Sequence, residues 1–157
     1  MKSISTYLMM TFGWILTTCL TVNADGPAVP YRDFAAGQMT SLVTDPNTGS
    51  GHFEFAGTGK GSQIGYFSIT GGHDFDAAGN VVGSFTQVTP SGAALSGIYF
   101  GESFPIGGSL FQFEVTVLWT DGTRRLTGVT GELHTTAILD VETGALEYES
   151  EGIWIYP

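Results

Sequence analysis

Cysteine is almost absent from this chain, since Cys19 is the only one among 157 residues. A single thiol excludes a framework of intramolecular disulfides, so the fold must depend on its hydrophobic core. Cys19 also lies in an N-terminal segment that we expect to be removed, and the mature chain would then contain no thiol nucleophile. About 130 residues would remain, which is enough for one domain with a substantial core.

Positive charge is also scarce. Lysine and arginine together number 5 against 15 aspartates and glutamates, and the formal net charge is −10. A surface this acidic repels nucleic acid and anionic membranes, and it favours cationic partners or divalent ions. We therefore predict that the protein has no nucleic-acid partner.

Helical periodicity and the common catalytic motifs are missing as well. No window keeps apolar residues at helical spacing for more than about one turn. There is no Gly-x-Ser-x-Gly motif, and Gly59-Lys60-Gly61-Ser62 lacks the spacing of a phosphate-binding loop. Glu132 and His134 are two residues apart, but no second histidine stands at zinc-ligand spacing. The sequence therefore predicts neither a metal site nor a cofactor, and it assigns no catalytic residue.

The first 24 residues have the pattern of a secretory signal peptide. Lys2 gives a short positive start, residues 7–20 are apolar and uncharged, and Val22-Asn23-Ala24 supplies a cleavage site. We predict cleavage after Ala24, which leaves a mature domain over residues 25–157 and a secreted or periplasmic location.

Two alternatives for this segment stay open. One is a membrane anchor, although the apolar run is shorter than the roughly 20 residues that a spanning helix needs, so we expect no stable membrane insertion. The other is a lipoprotein attached at Cys19, because Leu16-Thr17-Thr18 precedes this cysteine as in a lipidation signal.

Residues 108–139 contain the most regular pattern in the chain. Apolar side chains alternate with polar ones from Phe111 to Trp119, and again from Leu133 to Leu139. Alternation with a period of two is typical of a strand with one buried and one exposed face. Asp121-Gly122 separates the two runs and predicts a turn between them.

The remaining chain repeats this pattern. Turns with aspartate followed by glycine separate short alternating runs, and glycines inside the runs favour a sheet that bends and closes into a barrel. The pattern predicts an all-β fold with a single antiparallel eight-stranded barrel. The predicted strands cover residues 33–44, 52–57, 63–76, 81–89, 94–102, 111–119, 133–139 and 145–156.

Four segments carry a family resemblance: GTGKGSQIGYFS (57–68), DAAGNVVGSFTQVTPSGAALSGIYFG (76–101), DGTRRLTGVTGE (121–132) and LEYESEGIWIYP (146–157). Together they resemble a group of exported bacterial β-barrel proteins, which are similar in turn to the allene oxide cyclase and dirigent barrels. The resemblance implies a calycin-like eight-stranded barrel whose lumen holds a small molecule and can steer its cyclisation without a cofactor. The sequence departs from the family pattern at Gln63, at Tyr66 and at Arg124-Arg125-Leu126.

A barrel of eight strands is either filled by its own side chains or holds one small ligand. Alternation directs His73, Trp119 and Trp154 inward together with the apolar residues of their strands. In the strand over 94–102, Ile98 and Phe100 compete with Leu95 and Tyr99 for the inner face. We predict that the lumen is lined for ligand binding by Phe111, Phe113, Trp119, Trp154, Tyr148, His73, Gln87 and Glu102.

The alternative for the polar members of this set is that His73 and Glu102 contact water at strand ends, while Tyr148 only fills space. We also predict that Phe104-Pro105-Ile106 forms a loop at the mouth of the lumen.

Two classes of function follow. The first is an exported barrel that binds a small apolar or aromatic ligand, with or without steering a cyclisation. The second is a non-catalytic envelope or extracellular interaction domain with a filled core and an acidic surface. Aromatic residues on the inner faces favour the first class, and the departures from the family pattern favour the second. Both classes are compatible with a homo-oligomer.

Overall fold

The structure is a computed structural model, and it describes residues 26–157. Within these residues the chain forms a closed barrel of eight antiparallel strands in sequence order, in which the last strand pairs with the first. The prediction of an all-β, eight-stranded barrel is confirmed. The predicted signal peptide, its cleavage site and Cys19 lie outside the described residues, so the statements about them stay predictions.

Strands occupy most of residues 26–157. They are β1 (Ala28–Thr44), β2 (Gly51–Gly61), β3 (Gly65–Phe75), β4 (Asn80–Val88), β5 (Ala94–Gly107), β6 (Leu110–Gly122), β7 (Thr130–Asp140) and β8 (Ala145–Ile155). A 3₁₀ turn at Arg124–Leu126 is the only helical segment in the part of the chain that the structure describes. No helix among these residues has the length and hydropathy needed to cross a membrane.

β2 runs further than the sequence predicts, because glycines that looked like breaks are paired with β1. Gly57 lies opposite Gly37 in the register of β1 and β2. A Cβ atom on either glycine would collide with a backbone carbonyl of the other strand. The glycines therefore let the two strands approach closely, and β2 continues to Gly61.

The predicted mouth loop is also part of a strand. Ser103 pairs with Phe113 and Pro105 pairs with Phe111, so β5 continues through Phe104-Pro105-Ile106 to Gly107. Gly107 and Gly108 take positive φ values and make the tight turn into β6. The prediction of a loop at residues 104–106 was wrong, because cross-strand pairing extends past the apolar tip.

The turns after β1, β3, β5 and β7 lie together at one end of the barrel, here called the hairpin end. Three of them share one design, in which an aspartate carboxylate accepts a hydrogen bond from a backbone N–H two residues on. Those carboxylates belong to Asp45, Asp76 and Asp140, and the bonds measure 2.9–3.0 Å. The glycine that completes each turn has a positive φ, which is a conformation that glycine adopts without strain.

Apolar side chains cover the opposite end, here called the plug end, where the turns after β2, β4 and β6 meet. Ile64, Ala93, Leu126 and Val129 come from these turns and are buried. Arg125 Nη2 donates to the Ile64 carbonyl oxygen at 2.9 Å, which ties two of the turns together. At the hairpin end, by contrast, the rim is formed by half-buried apolar residues that pack against the core. The rim residues are Met39, Phe75, Phe111 and Val141.

The inner faces of β3, β6 and β8 are the ones that the alternation predicts. Phe67, Ile69 and His73 of β3 are buried, while the side chains between them face outward. Trp119 of β6 and Trp154 of β8 meet Tyr31 of β1 near the plug end. The Tyr31 and Trp154 rings stack with centroids 5.1 Å apart, and Trp119 meets Tyr31 edge-on at 5.9 Å. This aromatic cluster forms the floor of the lumen.

Candidate functional site

The lumen retains a cavity of about 80 Å³ above the aromatic floor. Its walls are almost entirely apolar, and they include side chains from all eight strands, with Asp33 as the contribution of β1. A drug-sized ligand needs a pocket of roughly 300 Å³ or more. An engineered apolar cavity of about 150 Å³ is known to hold benzene. The volume is therefore suited to a molecule of a few non-hydrogen atoms.

Five of the eight predicted lining residues border this cavity. They are His73, Gln87, Phe113, Trp119 and Tyr148.

The other three predicted residues lie elsewhere. Trp154 is fully buried in the aromatic floor, below the cavity, and Phe111 is half-buried at the rim. Glu102 is exposed on the outer face of β5, so its assignment to the lumen was wrong. The inner face of β5 carries Leu95 and Tyr99 instead, which are both buried.

The misassignment on β5 has a physical cause. Ile98 and Phe100 are large and apolar although they are 43% and 45% exposed, so both faces of the strand have the composition of a core. The register with β6 also shifts between Ser96 and Gly97. Alternation alone does not determine the inner face of such a strand.

Asp33 is the residue of the site that the sequence analysis missed. It is only 5% exposed and borders the cavity between Tyr31 and Ala35, which are buried on the same face of β1. The predicted first strand began at Asp33, and this start hid the pattern Tyr31-x-Asp33-x-Ala35. A strand assignment that started three residues earlier would have placed a carboxylate on the inner face.

A hydrogen-bond network connects Asp33 to the opposite wall of the barrel. Asp33 Oδ2 accepts from the Tyr31 hydroxyl at 3.2 Å and from Gln87 Nε2 at 3.1 Å. Gln87 Nε2 also donates to the Tyr148 hydroxyl at 3.3 Å. Gln87 belongs to β4, so its amide spans the lumen to reach β1 and β8.

Burial controls the protonation of these groups. Removal from water raises the pKa of Asp33 above its ordinary value, while the nearby Ser150 hydroxyl, which is not hydrogen-bonded to Asp33, and the hydrogen bonds from Gln87 and Tyr31 partly oppose this rise. Burial also raises the pKa of Tyr148 well above that of a free tyrosine. Among the described residues, Asp33 is the one carboxylate that lines the cavity.

His73 is neutral in this setting. Its ring is 5% exposed, stacks on Phe53 at 4.8 Å and shares a 3.0 Å hydrogen bond between Nδ1 and the Tyr99 hydroxyl. Burial lowers the pKa of His73 to about 4, with a smaller contribution from His52 in the same direction. The lumen therefore contains no positive charge at neutral pH to balance Asp33, because the described lysine and arginine side chains are all exposed.

Two buried oxygen atoms of the network have no hydrogen-bond partner, namely Asp33 Oδ1 and Gln87 Oε1. Both belong to residues that border the cavity. Leaving a buried acceptor unpaired costs roughly 1–3 kcal/mol, so these atoms favour an occupant that can donate to them. The arrangement can bind a compact molecule with an apolar body and a donor group.

Comparison of the chain with protein-family models, with curated proteins and with solved structures gives no match. The resemblance to the allene oxide cyclase and dirigent barrels stays a prediction, and the site is interpreted from its own geometry.

Proposed function

We propose that this protein is an exported barrel that binds a compact, largely apolar ligand in its lumen. The observation that carries the proposal is the apolar lumen cavity, which is bordered by two residues with unpaired acceptor oxygens, Asp33 and Gln87. A packed core without function would gain stability if these polar groups were replaced by apolar ones, because unpaired buried acceptors destabilise a fold.

Binding without turnover agrees best with the size of the cavity. A substrate long enough to cyclise exceeds the space of about 80 Å³ unless wall residues move. Asp33 could exchange a proton with a ligand, but the described lumen residues do not place a second titrating group beside it at neutral pH, since the His73 pKa is about 4. We therefore place ligand binding first and steering of a cyclisation second.

A series of apolar probes of increasing size tests this proposal. We expect xenon to bind in the lumen, benzene to bind weakly, and a large apolar fluorescent dye not to bind. Binding would be followed by the chemical shifts of methyl and indole signals that face the cavity, including those of Trp119 and Val115. The expected order follows from the cavity volume, because each probe needs its own volume of empty space.

Two variants sharpen the test. Phe113→Ala enlarges the cavity and should improve benzene binding, while Phe34→Ala removes an exposed ring from the outer face and should leave it unchanged. Failure of xenon to shift any lumen signal in the parent protein would rule out lumen binding.

A second candidate function is favoured by the outer surface of β4 and β5. Val82 lies directly opposite Phe100 in the register, and Ile98 is next to Phe100 on the same outer face of β5. Phe104 and Ile106 follow further along β5, beyond the exposed Glu102. These side chains are 39–65% exposed. Clustered exposed apolar residues are typical of a protein–protein contact, so we propose this face as the interaction surface, with a second copy of the chain as its simplest partner.

The oligomeric state tests this second function. We expect the parent protein to associate in a concentration-dependent way in sedimentation velocity experiments, and Phe100→Glu to stay monomeric because it puts a charge into the apolar face. Phe34→Glu is the matched control, since Phe34 is an exposed ring on β1, away from this face. A parent that is monomeric at all concentrations, or equal loss of association in both variants, would contradict the proposal.

A further inference from the structure

The carboxylate of Asp33 lacks a cationic partner. Arg32 is its neighbour in sequence, but the Arg32 side chain points outward and pairs with Glu151 at 3.3 Å on the barrel surface. Lys60, Arg124 and Arg125 are exposed as well. A buried carboxylate is ordinarily paired or strongly hydrogen-bonded, because the loss of hydration is costly.

This carboxylate also has fewer hydrogen-bond donors around it than it has acceptor sites. Tyr31 and Gln87 both donate to Oδ2, and Oδ1 receives nothing. The carboxylate fixes the orientation of the Gln87 amide, because only the amide nitrogen can donate to it, and Gln87 Oε1 is left without a donor. The site therefore has two unpaired acceptors on neighbouring side chains.

The number of donors separates the candidate occupants. An alcohol brings one O–H donor and a water molecule brings two, whereas a primary ammonium ion brings three N–H donors. The ammonium also brings the charge that Asp33 lacks, and charge-assisted hydrogen bonds are about twice as strong as neutral ones. A carboxylate ligand would instead add a second negative charge beside Asp33.

The walls of the cavity suit the same class of molecule. Trp119, Phe85 and Tyr99 line it, and the faces of aromatic rings attract organic cations. The alkyl part of an amine can lie against the apolar side chains of β6, such as Val115 and Val117. Only a short alkyl chain fits, because the cavity volume is about 80 Å³.

We propose that the lumen selects a compact primary ammonium ion, with its N–H donors directed at Asp33 Oδ1 and Gln87 Oε1 and its alkyl chain against the aromatic and aliphatic wall. This inference rests on the proposed function of lumen binding and names the class of ligand. The acidic surface supports it, since a net charge of −10 attracts cations and repels anions.

The test compares propylammonium, 1-propanol and propionate, which have similar sizes and differ in charge and donor number. Each is titrated into the protein at constant ionic strength, and binding is measured from the chemical shifts of lumen side chains such as the Trp119 indole N–H. We expect propylammonium to bind at least about tenfold more tightly than 1-propanol, and propionate not to bind.

Two variants test whether the preference for the ammonium ion depends on Asp33. Asp33→Asn keeps the shape of the side chain and removes its charge, and it should abolish the preference for the ammonium ion. Glu102→Gln removes one exposed carboxylate from the outer face of β5 and should leave the preference intact. If Asp33→Asn does not fold, Gln87→Leu, which removes one of the two unpaired acceptors, should weaken the preference.

The outcomes distinguish this inference from the proposed function. Equal binding of propylammonium and 1-propanol in the lumen would overturn the inference and keep the proposed function. An ammonium preference that persists in Asp33→Asn, or that Glu102→Gln abolishes, would also overturn it, because the preference would then come from the surface. If none of these molecules and no xenon binds, the proposed function fails and the inference fails with it.

Discussion

Trp154→Ala is expected to lower the free energy of unfolding by about 3–5 kcal/mol, which threatens the fold of a domain with only about 5–15 kcal/mol in total. Trp154 is completely buried and stacks on Tyr31, with Trp119 and Tyr156 meeting it edge-on at 5.9 and 6.0 Å. It does not border the lumen cavity. Its removal therefore creates a new void in a closely packed part of the barrel.

Phe113→Ala is the internal comparison for this prediction. Phe113 is also buried, but it borders the cavity, so part of its ring already lacks packing partners. Urea denaturation of both variants should give a clearly smaller loss for Phe113→Ala than for Trp154→Ala. Equal losses would mean that the lumen is as tightly packed around Phe113 as around Trp154, and the cavity would then be too rigidly filled to accept a ligand.

The sequence predicts the inner faces of β3, β6 and β8 correctly, and composition explains this success. Along β6, large apolar side chains from Phe113 to Trp119 fall on one face, and glutamine, glutamate and threonine dominate the other. On β5 this contrast is lost, because Ile98 and Phe100 are as apolar as Leu95 and Tyr99. Alternation then allows either face of β5 to be the inner one, and only the strand pairing in the closed barrel determines which face is buried.

Long-range partners are the part of the site that sequence patterns do not contain. Gln87 reaches Asp33 across 54 positions of sequence, and this contact depends on the shear and closure of the barrel. Gln87 itself was predicted as a lumen residue from its strand, and it does border the cavity. Its function as a bridge to a buried carboxylate follows only when β1 and β4 are placed on opposite walls.

The buried turn residues at the plug end show a similar limit of what the sequence predicts. Ala93 and Leu126 stand in turns, where sequence analysis expects exposed residues, and Ile64, which was predicted to lie in a strand, also belongs to a turn; all three are buried. They are buried because the turns after β2, β4 and β6 meet over one end of the barrel. Local turn chemistry predicts where the chain reverses, but it does not predict which turns cover the core.

Acid is expected to destabilise this barrel through His73. The unfolded chain binds a proton at His73 below a pKa of about 6.5, whereas the folded chain does so only below about 4. Stability from this residue is therefore fully present above pH 6.5 and is lost as the pH falls toward 4. The expected loss at the end of this window is on the order of 3 kcal/mol.

The variant His73→Gln isolates this effect, because glutamine does not titrate and can still bond to the Tyr99 hydroxyl. Free energies of unfolding, measured with urea between pH 7.5 and 4.5, should fall more steeply in the parent than in His73→Gln. The buried Asp33 acts in the opposite direction, since its raised pKa makes acid favourable to the folded state, but this residue is common to both proteins and cancels in the difference.

His52 provides a control of opposite sign on the outer surface. Its Nδ1 lies 2.7 Å from Asp74 Oδ1, and this hydrogen bond raises the pKa of His52. Its contribution to stability is present below pH 6.5 and is lost at higher pH, so His52→Gln should make acid slightly more destabilising, not less.

The His73 prediction is contradicted if His73→Gln and the parent lose stability equally between pH 7.5 and 4.5, because His73 would then be accessible to protons in the folded barrel. The lumen around His73 would then be hydrated, and the lumen could not be the dry apolar cavity on which ligand binding depends.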